Sequence, residues 1–329
     1  MGFEEIRSKL LAEAQNSPNL LSDLAGLEKY IGESYNNRSF IELLQNADDA
    51  MSSKFKIIKN NEHLFVANNG RDFNQQDLES LCRSASSSKV RGSSIGYRGI
   101  GFKSVVGFAK EIHLISGELA ITFSKKRTAI EIPLATNVPL IRIPHEFIDK
   151  DKNEFETVIN KFKASGYTTI FIFSGVTANE IQLEFASLDS SSLLFLRNIC
   201  ETEIEIQGAK KFLIERKRES KEISRINIVA ENSTISWLII SNEASSVGFS
   251  AFDRKINRLD YMSSIVYSFL PTEDYTGMGV VINGDFSTDP SRKHIIYDEK
   301  TISTINSCAQ HILNILELNI TNNVANSLE

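Results

Sequence analysis

The spacing of apolar positions changes several times along the chain, and each change predicts an element. Residues 3–15 and 20–34 repeat every three to four positions and read as helices, as does "RSFIELLQNADDAM", Arg38 to Met51. In that third helix Phe40, Leu43, Leu44, Ala47, Ala50 and Met51 form an apolar stripe wide enough to face a core. Glu42, Asn46 and Asp49 fall on the opposite side within a band of roughly 60°. A solvated face usually mixes Lys with Glu. This one carries a carboxylate, an amide and a second carboxylate in a row.

"KFKIIKN" and "EHLFVANNG" alternate like two strands joined by a turn, and "NQQDLESLCRSA" reads as a short helix. A polar, Ser-rich loop then leads into "IGYRGIGFKSVVGFA", a glycine-rich turn running into a helix. Between 111 and 143, "EIHLIS", "LAITFS", "TAIEIPL" and "LIRIP" are predicted as strands; "KNEFETVINKFKAS" follows as a helix and "GYTTIFIFS" as a strand. After about residue 176 the pattern restarts with "LEFASLDSSSLLFLRNI", predicted helical. Strands follow in "TEIEIQ", "KKFLIER", "RINIVA", "ISWLII" and "GVVINGDF", then a polar turn "STDPSRK" and a helix over about 300–319. Two α+β domains with predominantly antiparallel strands, 1–175 and 176–329, are expected.

Composition narrows the function classes. A chain of 329 residues has room for two domains with sizeable cores, and 41% hydrophobic with 24% charged residues is ordinary for globular proteins. A formal net charge of −6 argues against a general nucleic-acid or membrane surface, although a local basic groove stays open. Cys82, Cys200 and Cys308 form no CxxC pair, and with five scattered histidines they give no metal-site spacing. Reduced thiols in a cytoplasmic protein are the expectation. No stretch has the length of a membrane span, and the charged, amphipathic start is unlike a secretory signal.

Three short motifs carry chemistry only in combination. Gly96, Gly99 and Gly101 form G-x-x-G-x-G, which lets backbone amides approach a phosphate. The segment before them is a polar loop rather than the buried strand of a dinucleotide fold, and P-loop spacing is absent. Asn68, Asn69 and Gly70 end a strand and on their own need be no more than a turn. Thr168 and Thr169 open another strand and are uninformative alone.

Their order, E-x-x-x-N-x-x-D-A, N-x-G, polar loop, G-x-x-G-x-G-F and G-x-T-T strand, resembles the GHKL superfamily of ATP-binding domains over roughly residues 30 to 175. That group includes gyrase-type topoisomerases, ninety-kilodalton heat-shock chaperones, histidine kinases and mismatch-repair proteins. "ELLQNADDA" and "GYRGIGFKSV" are most similar to the sacsin and NO VEIN-type branch, as is "FLPTEDYTGMGVVINGDFSTDPSRKHI", Phe269 to Ile295. The resemblance implies a two-layer α/β sandwich that binds ATP, followed by a transducer-like α+β domain.

It also implies roles. Glu42 matches the general base for the water that attacks the γ-phosphate, and Asn46 the Mg2+ ligand. Asp49 matches a residue at the nucleoside edge. Asn68 stands where much of the superfamily has an aspartate accepting from the adenine amino group, a departure that forgoes about 1 kcal/mol of charge assistance. Gly70 would let the backbone pass close to the base, and Thr168, with Thr169 as alternative, matches the threonine that bonds adenine through water. Gly96, Gly99 and Gly101 match the phosphate motif. Lys89 and Arg91 sit in a lid-like loop over 84–95, and Lys103 is a further phosphate candidate. Arg292, with Lys293 second, matches a basic residue sensing the γ-phosphate from the following domain.

The implied function is a slow Mg-dependent ATPase whose cycle closes and opens two domains, or two chains in an ATP-dependent homodimer. Its output would pass to a protein partner or an effector region beyond this chain, in a chaperone-like or defence-associated role. The abrupt end "NSLE" raises the expectation of a fragment. An alternative is a nucleotide-sensing scaffold with negligible turnover, against which Glu42 argues. No hairpin with a phospho-acceptor histidine precedes the domain, and the acidic balance does not support a DNA channel.

Overall fold

The structure, a computed structural model, describes residues 3–34, 38–83, 101–206, 208–231, 233–252 and 255–326. The chain divides into two compact units, Met1–Asp189 with Arg197–Lys211, and Ser190–Leu196 with Phe212–Glu329. Each is a mixture of helices with a mixed sheet.

The first unit holds helices α1 (Phe3–Asn16), α2 (Pro18–Ser34), α3 (Ser39–Asp49), α4 (Gln75–Cys82), α5 (Lys125–Glu131), α6 (Asp149–Ala164) and α7 (Ala178–Ser187). Its strands are β1 (Lys54–Asn60), β2 (His63–Asn68), β3 (Glu111–Ser116), β4 (Leu119–Ser124), β5 (Pro144–Glu146), β6 (Thr169–Ser174) and β7 (Glu201–Glu205), in the order β7-β1-β2-β6-β3-β4-β5. Only β1 and β7 run parallel among these pairs. Alternation along β6 divides the core in two. Ile170 and Ile172 join Phe65 and Ile115 under Phe155, Ile159 and Phe162 of α6. Phe171 and Phe173 take the other face, where Phe102 of a 3-10 turn, Gly101–Gly107, and Phe108 just after it lie 5.0 and 5.7 Å from them. Phe40 of α3 packs edge-on against Phe108 at 6.3 Å. Helix α3 and the stretch from Phe102 to Phe108 therefore share one face of the sheet.

Some elements differ from their sequence expectation. Residues 128–134 do not form a strand, because Ser124 Oγ accepts from the Arg127 N–H and caps α5 instead. Of the strand expected at 140–144, only Pro144 is paired, at the start of β5. The helix expected over 183–199 stops at Ser187, and a 3-10 turn follows at Ser190–Leu193. A long helix there would consume the N–H groups of residues 197–199, which Asp48 binds.

In the second unit β8 (Ala209–Arg218, from Phe212 onward), β9 (Ile223–Ala230), β10 (Ser233–Ser241), β11 (Ser245–Phe252), β13 (Ile265–Ser268), β14 (Leu270–Tyr275) and β15 (Val281–Gly284) follow the order β14-β13-β15-β11-β10-β9-β8. The short β12 (Lys255–Asn257) pairs with β11. Helix α8 (Glu299–Asn326) lays Ile305, Cys308 and Ile312 against Val247, Phe249 and Ile282. No helix of the described residues is long and apolar enough to cross a membrane.

Candidate functional site

Helix α3 is buried on more than its apolar stripe. Phe40, Leu43, Leu44 and Ala47 face the core as their spacing requires, and Glu42 is only 3% exposed. The cause at Glu42 is local: a Cβ built on Gly101 would lie 2.0 Å from its Oε2. The carboxylate fills the space over Gly101 that a side chain there would need. At the helix's other end a Cβ on Gly70 would come within 2.5 Å of the Ala50 carbonyl oxygen, which also accepts the Arg71 N–H at 2.8 Å. Helix α3 thus has Gly101 against its first turns and the Asn-Asn-Gly turn against its other end. Asn46 and Asp49, both half-buried, lie between. Seven residues of helical rise separate Glu42 from Asp49, about 10 Å.

The turn after β2 is tightly bonded. Asn68 Oδ1 accepts from the Gly70 N–H at 3.0 Å, and the Asn68 carbonyl from the Thr168 N–H at 3.0 Å. Thr168 Oγ donates to the Gly70 carbonyl at 2.6 Å and the residue stays exposed. Thr169 is different: its hydroxyl is 2.7 Å from Ser116 Oγ and sealed, at 1% exposure. Of the two threonines only Thr168 offers a hydroxyl at the surface.

Two residues that sequence reasoning passed over hold this arrangement. Asn69 Oδ1 accepts from Ser52 Oγ, Ser53 N–H and Lys54 N–H at 2.7, 2.9 and 2.8 Å, fastening the turn to the start of β1. Asp48 is 1% exposed, and its carboxylate accepts from the N–H groups of Arg197, Asn198 and Ile199 at 2.7–3.1 Å. A signal existed for Asp48, which follows Ile41 and Leu44 at helical spacing and so belongs to the buried stripe.

Lys103 is drawn inward. Its ammonium donates to the Ile141 carbonyl at 3.2 Å and the residue is 3% exposed. Burial pushes its pKa down, and the Glu28 carboxylate pulls it back up. That carboxylate in turn accepts from the Leu140 and Ile141 N–H groups at 2.6 and 2.8 Å, so α2, the loop at 140–141 and the turn that carries Lys103 are tied together. Lys89, Gly96 and Gly99, with Arg91, lie outside the described residues.

Arg292 and Lys293 belong to the second unit. Arg292 adopts φ 60° within a turn where its N–H donates to the Asp289 carbonyl at 3.1 Å. Asp289 Oδ1 accepts from the Lys293 and His294 N–H groups, and Lys293 Nζ pairs with Glu273 at 3.0 Å.

No group of three or more His, Cys, Asp or Glu capable of holding a metal occurs among the described residues. Magnesium held chiefly by phosphate oxygens and water needs no such group, and a single amide oxygen such as that of Asn46 suits it. Burial pushes the Cys82 thiol up to about 12, which leaves it inert.

No family model matches the chain. The Arabidopsis thaliana protein named Protein NO VEIN is 27% identical over 296 residues, covering 80% of this chain and 10% of that protein. The chain thus spans about a tenth of that relative's length and is similar to one stretch of it.

Proposed function

We propose that the chain binds a nucleoside triphosphate with Mg2+, ATP on its resemblance to GHKL domains, and hydrolyses it as a conformational switch. In this reading the first unit is a GHKL-type sandwich and the second a transducer-like domain. The observation that carries the reading is the bracketing of α3, which puts Glu42 against Gly101 and the helix's far end against Gly70. One helix face then runs from the reacting phosphate to the nucleoside.

The chemistry assigned to the chain's own groups is simple. Glu42 takes the proton of the water that attacks the γ-phosphorus, as the bond to the β,γ-bridging oxygen breaks and the diphosphate leaves. Asn46 would hold the Mg2+, whose charge offsets that of the phosphates when it is bound. Backbone at Gly101 can approach the phosphates closely. Asp49, Asn68 and Thr168 contact the nucleoside. The output passes to a protein partner or an effector region. A sensor with negligible turnover is the second reading, favoured by Asn68 in place of a carboxylate.

Phosphate release from Mg-ATP, beside Glu42→Gln with binding measured on both, tests the proposal. The expected result is a fall of about 100-fold or more in turnover with binding retained. Binding without turnover in the parent leaves the sensor, and no binding of any nucleotide ends both readings.

A further inference from the structure

Ile170 and Ile172 of β6 pack under α6, so Ser174, two residues on, faces the same way at the strand's last position. His63 stands opposite it at the start of β2, on the face that Phe65 shares. Its Nδ1 lies 3.0 Å from Ser174 Oγ. Glu154, on α6, brings Oε1 to 3.2 Å from Nε2 of the same ring. Phe155 packs edge-on against the imidazole at 5.0 Å and restricts its rotation. A carboxylate oxygen can only accept, so in the neutral imidazole Glu154 favours the proton on Nε2. Nδ1 is then left to accept from the serine O–H. His63 and Ser174 are half-buried and Glu154 is exposed, which leaves the group open to a substrate.

Serine, imidazole and carboxylate in this order of contacts are the parts of a nucleophilic site, identified by geometry and not by chain order. The backbone suits the role. Strand β6 is flanked by β2 and β3, and it ends at Gly175, whose φ is 74°, just before Thr177 caps α7. The N–H that follows such a serine is a usual donor to the oxyanion. We propose that Ser174, His63 and Glu154 form a catalytic site that hydrolyses short carboxylic esters. It lies at the opposite end of β2 and β6 from Asn68 and Thr169, and it stands apart from the nucleotide reading. Ser174 Oγ adds to the ester carbonyl carbon as its proton passes to His63 Nδ1. The carbon–oxygen bond to the alcohol breaks, and the leaving alkoxide takes that proton. Water then attacks the acyl-serine, gives its proton to the same nitrogen, and releases the carboxylic acid as the serine recovers its own.

Incubation of the whole chain with a fluorophosphonate, with mass spectrometry of its peptides, tests this beside turnover of p-nitrophenyl butyrate. Label on Ser174 and steady release of p-nitrophenol are expected. His63→Gln should slow both about 100-fold or more, as loss of a general base does. Glu154→Gln should lower kcat about tenfold and leave KM in place, the pattern of a group that positions the imidazole. Absence of label on Ser174, label without ester turnover, or parental turnover in His63→Gln overturns the proposal. The first two outcomes are read on the parent and stand even if a variant fails to fold.

Discussion

A methyl group added at Gly101 would meet the Glu42 carboxylate at 2.0 Å, and one added at Gly70 would meet the Ala50 carbonyl oxygen at 2.5 Å. The two clashes have different remedies. A carboxylate is the far end of a flexible side chain and can rotate aside, whereas the Ala50 carbonyl is backbone at the end of α3 and already accepts the Arg71 N–H. Gly101→Ala should therefore cost no more than about 1 kcal/mol of stability, within the usual range for a single change. On the proposed function it should nevertheless remove most turnover, because Glu42 would no longer sit over the backbone proposed to approach phosphate. Gly70→Ala should cost about 2–3 kcal/mol through a forced backbone shift. Urea midpoints with phosphate release on both variants make the comparison. Parental turnover in Gly101→Ala would count against Glu42 as the base in its observed position.

Two elements of the first unit carry a buried histidine each. His113 on β3 has Nδ1 2.9 Å from Thr122 Oγ and its ring against Phe147 and Phe155. His145 on β5 has Nε2 2.9 Å from Thr128 Oγ of α5. Burial pushes both down to about 4; Asp151 partly opposes this at His113, where Arg127 and His63 add to it, while Arg7 and Arg127 add to it at His145. Glu131 lies 3.7 Å from His145 but is engaged by Arg7 at 2.6 Å. The folded values lie below the unfolded value near 6.5, so the unfolded chain binds more protons between pH 6.5 and about 4. Stability should hold above pH 6.5 and fall as pH drops through that window. Urea midpoints from pH 7.5 to 4.5 should show the fall, and His145→Gln should flatten it. These contacts also mark where the sequence stopped being legible. Periodicity made α1–α3, β1–β4, α6 and β6 readable, because in each the buried face repeats at the element's own period. It misread "TAIEIPL", whose alternation resembles a strand, although Ile130 is 72% exposed and Thr128 is the residue that turns inward to His145. It passed over β11, where "SSVGFSAF" mixes small polar residues into a strand held by its neighbours β10 and β15. The polar face of α3 was visible from spacing. The work of Asp48, Asn69 and Lys103 was not, since it depends on partners that only the fold brings near.

The first unit reaches past Asp189 for a part of itself, since Arg197–Lys211 belongs to it. Strand β7 pairs in parallel with β1 from Lys54↔Glu201 to Ile58↔Glu205. A parallel neighbour has to come from a distant part of the chain, because no hairpin can supply one. The same segment brings the three N–H donors that hold the buried Asp48 carboxylate in α3. Removing it would strip the Asp48 carboxylate of those bonds, each worth about 1.5–3 kcal/mol where the acceptor is charged. Together that is a large part of the roughly 5–15 kcal/mol by which domains are usually stable. A fragment ending at Lys211 should therefore unfold in one cooperative thermal transition by circular dichroism, and a fragment ending at Asp189 should melt at much lower temperature or without a sharp transition. Asp48→Asn in the longer fragment should fall between the two, since an amide oxygen keeps some of the N–H bonds but loses their charge assistance. Equal melting of the two fragments would mean that β7 and the Asp48 contacts are dispensable to the unit. The placement of α3, and of Glu42 upon it, would then rest on its packing into the core, on Gly101 and on the Asn-Asn-Gly turn.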